Sequence, residues 1–434
     1  MLRPLLAILW LASPVVVLAE STYLPVGEAR AKKPSIALTG GKTSAGSESG
    51  LLEQVDRRIR TDLAFIDSFR LLEQEQFAPA PLLDSQGKPD SAAWIKAGAD
   101  HVAYGNFSKN GSQAIYEFRL YSTASKSEIL SKKYLGDATT PAILAHTIAN
   151  DIVQAITGKA GIFLTRIVFV CDKTGKKEIY SSAFDGADIR QITRLRSLSM
   201  APAWSPDGTR IAFSVYNRHS DNTKNLDLFE YDFKNGRYRL LSNRPGINSG
   251  AAYSPKGDRI AYTMSVTGNP ELHLLDPATR ETTQLTRSIG FDVDPAWSPD
   301  GKQLAFVSSR PGKPMLYILD IERPADAKRL TYAGSYNATP SWSPDGKKIA
   351  FAGWLEGRFD LFTITADGGK IERLTKDEGN NEDPHFSPDG NFLVFSSNRS
   401  GGKNIFLMAS GGGNVKRLTI GMGECVAPKW SPYL

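Results

Sequence analysis

Two rhythms of apolar and polar positions divide the chain. In residues 49–63, Leu51, Leu52, Val55, Ile59 and Leu63 fall on one face of a helix. In 141–157, Leu144, Ile148, Ile152 and Ile156 recur at four-residue steps, which predicts a second amphipathic helix. Between and around them, 34–39, 100–106, 113–122 and 127–134 read as strands, with Lys109-Asn110-Gly111 turning between the second and third. These elements predict a small α/β domain over 34–158, with Gly158-Lys159-Ala160 as a hinge into the C-terminal two thirds of the chain.

From 159 to 434 the rhythm changes. An aromatic residue followed by Ser-Pro recurs at WSPDG (204–208), YSPKG (253–257), WSPDG (297–301 and 342–346), FSPDG (386–390) and WSPYL (430–434). The serines are 49, 44, 45, 44 and 44 residues apart. A period in the forties with strand-like content predicts propeller blades. In each unit Pro presets the first corner of a turn, Asp caps it and Gly accepts positive φ, so a hairpin joins the first strand to the second. Small residues precede most of the aromatics (Ala203, Ala252, Ala296, Ser341), as an innermost strand near a ring axis requires; His385 and Lys429 are bulkier exceptions. Residues 163–195 hold three strands of a blade with no Ser-Pro strand ahead of them, and the C-terminal KWSPYL is a first strand with nothing after it. Five complete units and one split unit predict a six-bladed propeller that the last strand closes, leaving no free sheet edge. The fold class is thus an N-terminal α/β domain followed by an all-β propeller.

Composition adds a compartment. The 434 residues exceed what one core supports. Arg3 and the apolar run 5–18, with Val17-Leu18-Ala19 at its end, read as a signal peptide over 1–19, about fourteen apolar residues against the ~20 that span a bilayer. An exported protein without stable membrane insertion is expected. Residues 20–33 contain one apolar patch, including Tyr23, Leu24 and Val26, and too little else to fold alone, so they are read as a mobile arm beginning at Glu20. Net charge is +6 without a basic cluster interleaved with aromatics, and nucleic acid is not an expected partner. The two cysteines, Cys171 and Cys425, fall on neighbouring strands of the split blade. A regular ladder sets Cys171 opposite Val426, so a bond between them requires a bulge, and both outcomes stay open.

Catalytic signatures are missing from the sequence. LTGGKTS (38–44) is not a phosphate-binding loop, because with Lys42 as its lysine the first glycine would fall at Ile36. In Gly46-Ser47-Glu48-Ser49-Gly50 a glutamate occupies the nucleophile position. The five histidines show no metal-ligand spacing, and no metal or cofactor is expected. What remains is a surface. The loops from each fourth strand to the next blade's first strand ring one mouth of the propeller, and Asp292, Asp294, Asn337, Thr339, Asn381, Glu382 and Asp383 predict an acidic, hydrogen-bonding rim. A propeller enzyme of lactonase or lyase type, with a channel metal, is the alternative; a glycan-binding module is a third reading, for which only Phe291 and Tyr336 stand in the rim loops.

The α/β domain, the join HTIANDIVQAITGKAGIFLTRIVFV (146–170) and the W-S-P-D-G propeller ending in W-S-P-Y-L together resemble the TolB family, the periplasmic component of the Tol–Pal system of Gram-negative envelopes. The resemblance implies a non-enzymatic, monomeric periplasmic adaptor that supports outer-membrane integrity and envelope constriction at division. It implies that the propeller rim binds the peptidoglycan-associated lipoprotein Pal, with Asp294 at a position where the family is acidic. It also implies that the arm, here Glu20, Tyr23, Leu24 and Val26, binds the inner-membrane protein TolA. NRPGINSG (243–250) lacks the histidine that the resemblance would place there.

Overall fold

The computed structural model describes residues 33–43, 48–77, 83 and 88–434. The leader and the arm residues Glu20, Tyr23, Leu24 and Val26 lie outside the described residues.

The N-terminal part is a five-stranded sheet in the order Arg70–Leu71, Ser35–Thr43, His101–Asn110, Gln113–Ser122, Ser127–Asp137. The first three strands run parallel and the last three antiparallel. Helices Ser49–Phe65 and Pro141–Thr157 cover one face, because the stripes Leu52/Val55/Ile59/Leu63 and Leu144/Ile148/Ile152 can leave water only against each other and the sheet. Trp94, Phe77, Val102 and Tyr121 fill the other face. Pro141 opens the second helix and Gly158, left-handed at φ 74°, closes it. Residues 38–43 of the LTGGKTS stretch lie in the first strand; the Gly41 N–H donates to half-buried Asp56 (3.1 Å), a contact within the domain.

Asp62 interrupts the first helix's apolar stripe. Its carboxylate lies 2.6 Å from His146 Nδ1 and 3.2 Å from Arg58, and Arg58 continues to Asp185 on the propeller. One turn on, Phe65 meets Phe184 and Phe392 with ring centroids 5.1 and 5.2 Å apart. The chain crosses to the propeller under a close contact: a Cβ on Gly161 would fall 2.3 Å from Asn150 Oδ1, which accepts the Phe163 N–H. The expected hinge therefore runs between two packed bodies that share one continuous apolar cluster.

The propeller consists of six four-stranded antiparallel sheets. Blades two to six begin at Ser199, Asn248, Asp292, Asn337 and Asn381; blade one combines strands Arg166–Cys171, Glu178–Ala183 and Arg190–Gln191 with the inner strand Cys425–Trp430. The repeat explains itself physically. In WSPDG the serine Oγ accepts the N–H five residues on (2.9 Å at Ser205, Ser298 and Ser343) and donates to the turn aspartate, locking the hairpin. The tryptophan works between blades: Trp204, Trp297 and Trp342 donate their indole N–H to the Lys429, Ala252 and Ala296 carbonyls of the preceding inner strand, at 3.0–3.1 Å.

Closure follows the expected split blade, with Ser431 Oγ accepting the Arg166 N–H at 3.0 Å across 265 residues. The register differs from a regular ladder by one residue. Cys425, not Val426, faces Cys171, and Val426 faces Val170, because a bulge lies between Val426 and Lys429. The two cysteines form a disulfide, with Cα atoms 4.3 Å apart.

Purified under oxidising conditions, the denatured protein should show no free thiol, and Cys171→Ser/Cys425→Ser should lower the unfolding free energy by about 2–5 kcal/mol. Thiol counting and denaturant melts check both; two reactive thiols per chain would contradict a disulfide-closed ring. A chain shortened to remove 426–434 should lose its cooperative transition altogether.

Candidate functional site

The rim is shaped by one irregularity repeated six times. Each inner strand has a register shift at its third or fourth residue, and the third residue is left-handed: Ala201 (φ 50°), Gly250 (63°), Asp294 (54°), Thr339 (50°), Asp383 (56°) and Ala427 (51°). Asp tolerates this conformation through local hydrogen bonding. Thr339 is β-branched and does not, so its backbone is strained.

The bulge sorts the rim residues read from the sequence into two groups. Asp292, Asn337 and Asn381, at the first position of their strands, are buried and occupied from within. Asp292 binds Arg310 (2.7 Å), Asn337 donates to Thr331 Oγ1 (2.9 Å) and the Ala333 carbonyl (3.0 Å), and Asn381 accepts from Arg399 (2.7 Å). They anchor the blades and present no side chain to a partner. Asp294, Thr339, Glu382 and Asp383 come together around a cavity of about 620 Å³ that opens at the rim.

Its other wall was not legible as rim. Trp354 and Phe359 come from the hairpin between Lys348–Leu355 and Arg358–Thr365 of blade five, and they stand against Tyr336. Phe359 meets Tyr336 at 5.6 Å and Trp354 at 5.0 Å, both edge to face. The available signal was length: these two strands have eight residues each, against six in blade four.

Four ionisable groups converge on the axis. Burial pushes the Asp294 carboxyl above its usual range, opposed by Lys429 and reinforced by Asp383. Burial lowers the Lys429 ammonium, against the pull of Asp383 and Asp294. Asp383 Oδ2 accepts from Ser396 Oγ (3.0 Å) and from the Ala427 N–H of blade one (3.1 Å). Burial, with Lys429 beside it, pushes His385 down to about 3; its Nδ1 lies 3.2 Å from the Trp430 amide nitrogen and 3.1 Å from the Phe386 carbonyl oxygen. Tyr336 is raised by burial and by the field of Asp294 and Glu382. Among the described residues no three His, Cys, Asp or Glu gather as a metal site.

Two family models match this chain: the TolB amino-terminal domain over residues 22–129, and the TolB beta propeller domain over 153–353 and 337–433. A protein TolB homolog of Chlorobium luteolum is 35% identical over 63% of this chain and 61% of its own length. The Tol-Pal system protein TolB of Desulfosudis oleivorans is 33% identical over 64% of this chain and 63% of its own length. The aligned part of the chain thus spans about three fifths of either relative. The crystal structure of TolB from Acinetobacter baumannii superposes with a TM-score of 0.77 at 26% identity, over 92% of this chain and 97% of that one.

His385 gives a pH test. Its folded pKa of about 3 lies below the ordinary 6.5, so the unfolded chain takes up the proton first. The stability it contributes is complete above pH 6.5 and is lost as pH falls towards about 3. His385→Asn keeps an acceptor near the Trp430 amide without that titration. Between about pH 7.5 and about pH 4.5 the variant should lose less stability than wild type, by on the order of 1 kcal/mol, in parallel denaturant melts. Equal losses would refute the assignment.

Proposed function

The chain belongs to the TolB family, and from that premise we propose that it is a non-enzymatic periplasmic adaptor of the Tol–Pal system. In this reading the propeller rim binds a peptidoglycan-associated lipoprotein, and the arm at 20–33 binds a TolA-type inner-membrane protein. Joining the two supports outer-membrane integrity and envelope constriction at division. The observation that carries the reading is that both TolB family models match consecutive segments of one chain. The rim supports it: an open cavity with acidic and aromatic lining is suited to holding a partner's side chains. Among the described residues no helix is long and apolar enough to cross a membrane.

Deleting residues 20–33 from the mature protein should abolish binding of the TolA-type partner and leave lipoprotein binding intact or stronger. Calorimetric titrations with each purified partner decide it. Unchanged TolA-type binding would remove the arm from the proposal, and absent lipoprotein binding to the full-length protein would remove the rim.

A further inference from the structure

We infer that the cavity on blade five takes a cationic side chain, an arginine or lysine presented by the protein that docks on the rim. The inference rests on the proposed role of the rim and adds the chemistry of the contact.

The wall of the cavity is aromatic and open. Trp354 and Tyr336 are 38% and 41% exposed, although they stand in a concavity with Phe359 between them. Exposed large rings at a concave surface mark a contact. The rings meet edge to face, at 89° and 78°, so they form a notch with a ring face on its side. A flat sugar would need a coplanar platform; a guanidinium or ammonium group needs a ring face within reach, and tryptophan offers the strongest.

The floor supplies the complementary charge. Asp294, Asp383 and Glu382 line the same cavity, with Thr339 between the blades. Glu382 is bound to Lys403 at 2.5 Å, and Lys429 faces the two aspartates from the axis. Three carboxylates against two ammonium groups leave a negative balance, and Asp294 forms no salt bridge among the described residues. Burial first, and Asp383 after it, raise the affinity of Asp294 for a proton against the opposing field of Lys429, and an incoming cation would act in the same sense as Lys429. The other polar side chains of the lining, Ser335, Thr339 and Tyr336, add hydroxyl groups that can accept a donor fork. An anionic segment would meet the aspartates unpaired, so the same site that attracts a basic partner excludes an acidic one.

The test uses the full-length mature protein with its Trp354 indole N–H assigned by NMR. The probe is acetyl-Gly-Arg-Gly-amide, and its uncharged control carries citrulline. The arginine peptide should shift the Trp354 signal with millimolar affinity, and the citrulline peptide should bind about tenfold or more weakly. Trp354→Ala and Asp294→Asn should each weaken the arginine peptide about tenfold, the first followed on the Tyr336 ring signals. Asn keeps the left-handed backbone, so the second variant remains informative if the first melts early. Equal binding of the citrulline peptide would overturn the inference, as would a silent Trp354 with the arginine peptide, or a Trp354 shift produced by N-acetylglucosaminyl-N-acetylmuramyl dipeptide instead. Titration with the purified lipoprotein separates this inference from the reading beneath it. Undiminished lipoprotein binding to both variants would sink the cation site and leave the rim reading standing. No lipoprotein binding to wild type, with the arginine shift retained, would sink the rim reading and leave the cation site.

Discussion

The pairing of Cys425–Trp430 with Arg166–Cys171 is the contact on which the propeller depends. Each blade touches only its neighbours, so without this ladder the first and last blades would expose the inner edge of one sheet and the flank of another. Closing a loop of 254 residues is entropically costly, but the cost grows only with the logarithm of length, and a few local bonds offset it. Here the seam is held in three ways: the hydrogen-bonded ladder with Ser431, the disulfide, and the N-terminal domain. Phe65 touches Phe184 of blade one and Phe392 of blade six, so the domain straddles the seam and belongs to the same apolar cluster as Cys171, Cys425 and Trp430. The α/β domain is thereby a clamp on the ring as well as a neighbour to it.

The left-handed bulge links that architecture to the rim. A straight inner strand would alternate its side chains between blade interfaces along its whole length. The extra residue breaks the alternation, sends the first position of the strand inward and brings the third to the cavity or the axis. Left-handed residues other than glycine cost of order 1 kcal/mol or more, and five of the six bulges use one. What the strain obtains is a pair of aspartates, Asp294 and Asp383, from blades two apart, set within each other's field.

The same bulge marks the limit of what the sequence shows. Blade number, hairpins, the split blade and both long helices were legible because each rests on local chemistry that recurs: Ser-Pro-Asp-Gly turns, apolar stripes, a proline at a helix start. Helix Pro141–Thr157 has the bounds its pattern predicts. The bulge position holds Ala, Gly, Asp, Thr, Asp and Ala, which share no side-chain chemistry, so nothing in the sequence announces it. Missing it displaces the register of the closing strand by one residue, placing Val426 where Cys425 stands. For the same reason Asp292, Asn337 and Asn381 read as rim acids and amides although they are blade anchors. Trp354 and Phe359 are hidden for another reason: the repeat points to the loops between blades, and these rings arrive on a lengthened hairpin within one blade.

The two bulky exceptions among the small axial residues now have a physical reading. His385 and Lys429 belong to blades six and one, the two that meet at the seam. They line a cavity of about 270 Å³ at the Ser-Pro end, whereas Asp294 and Asp383 line the one at the rim, and no residue lines both. Lys429 therefore stands between the acids and the far mouth. Two carboxylates in each other's field repel, and a lysine beside them opposes that repulsion. Two lysines would cancel the pair and leave nothing to attract a cation. One lysine against two aspartates offsets part of their mutual repulsion and keeps the balance at the rim negative. His385, neutral beside it, fills the axis without adding a second positive charge.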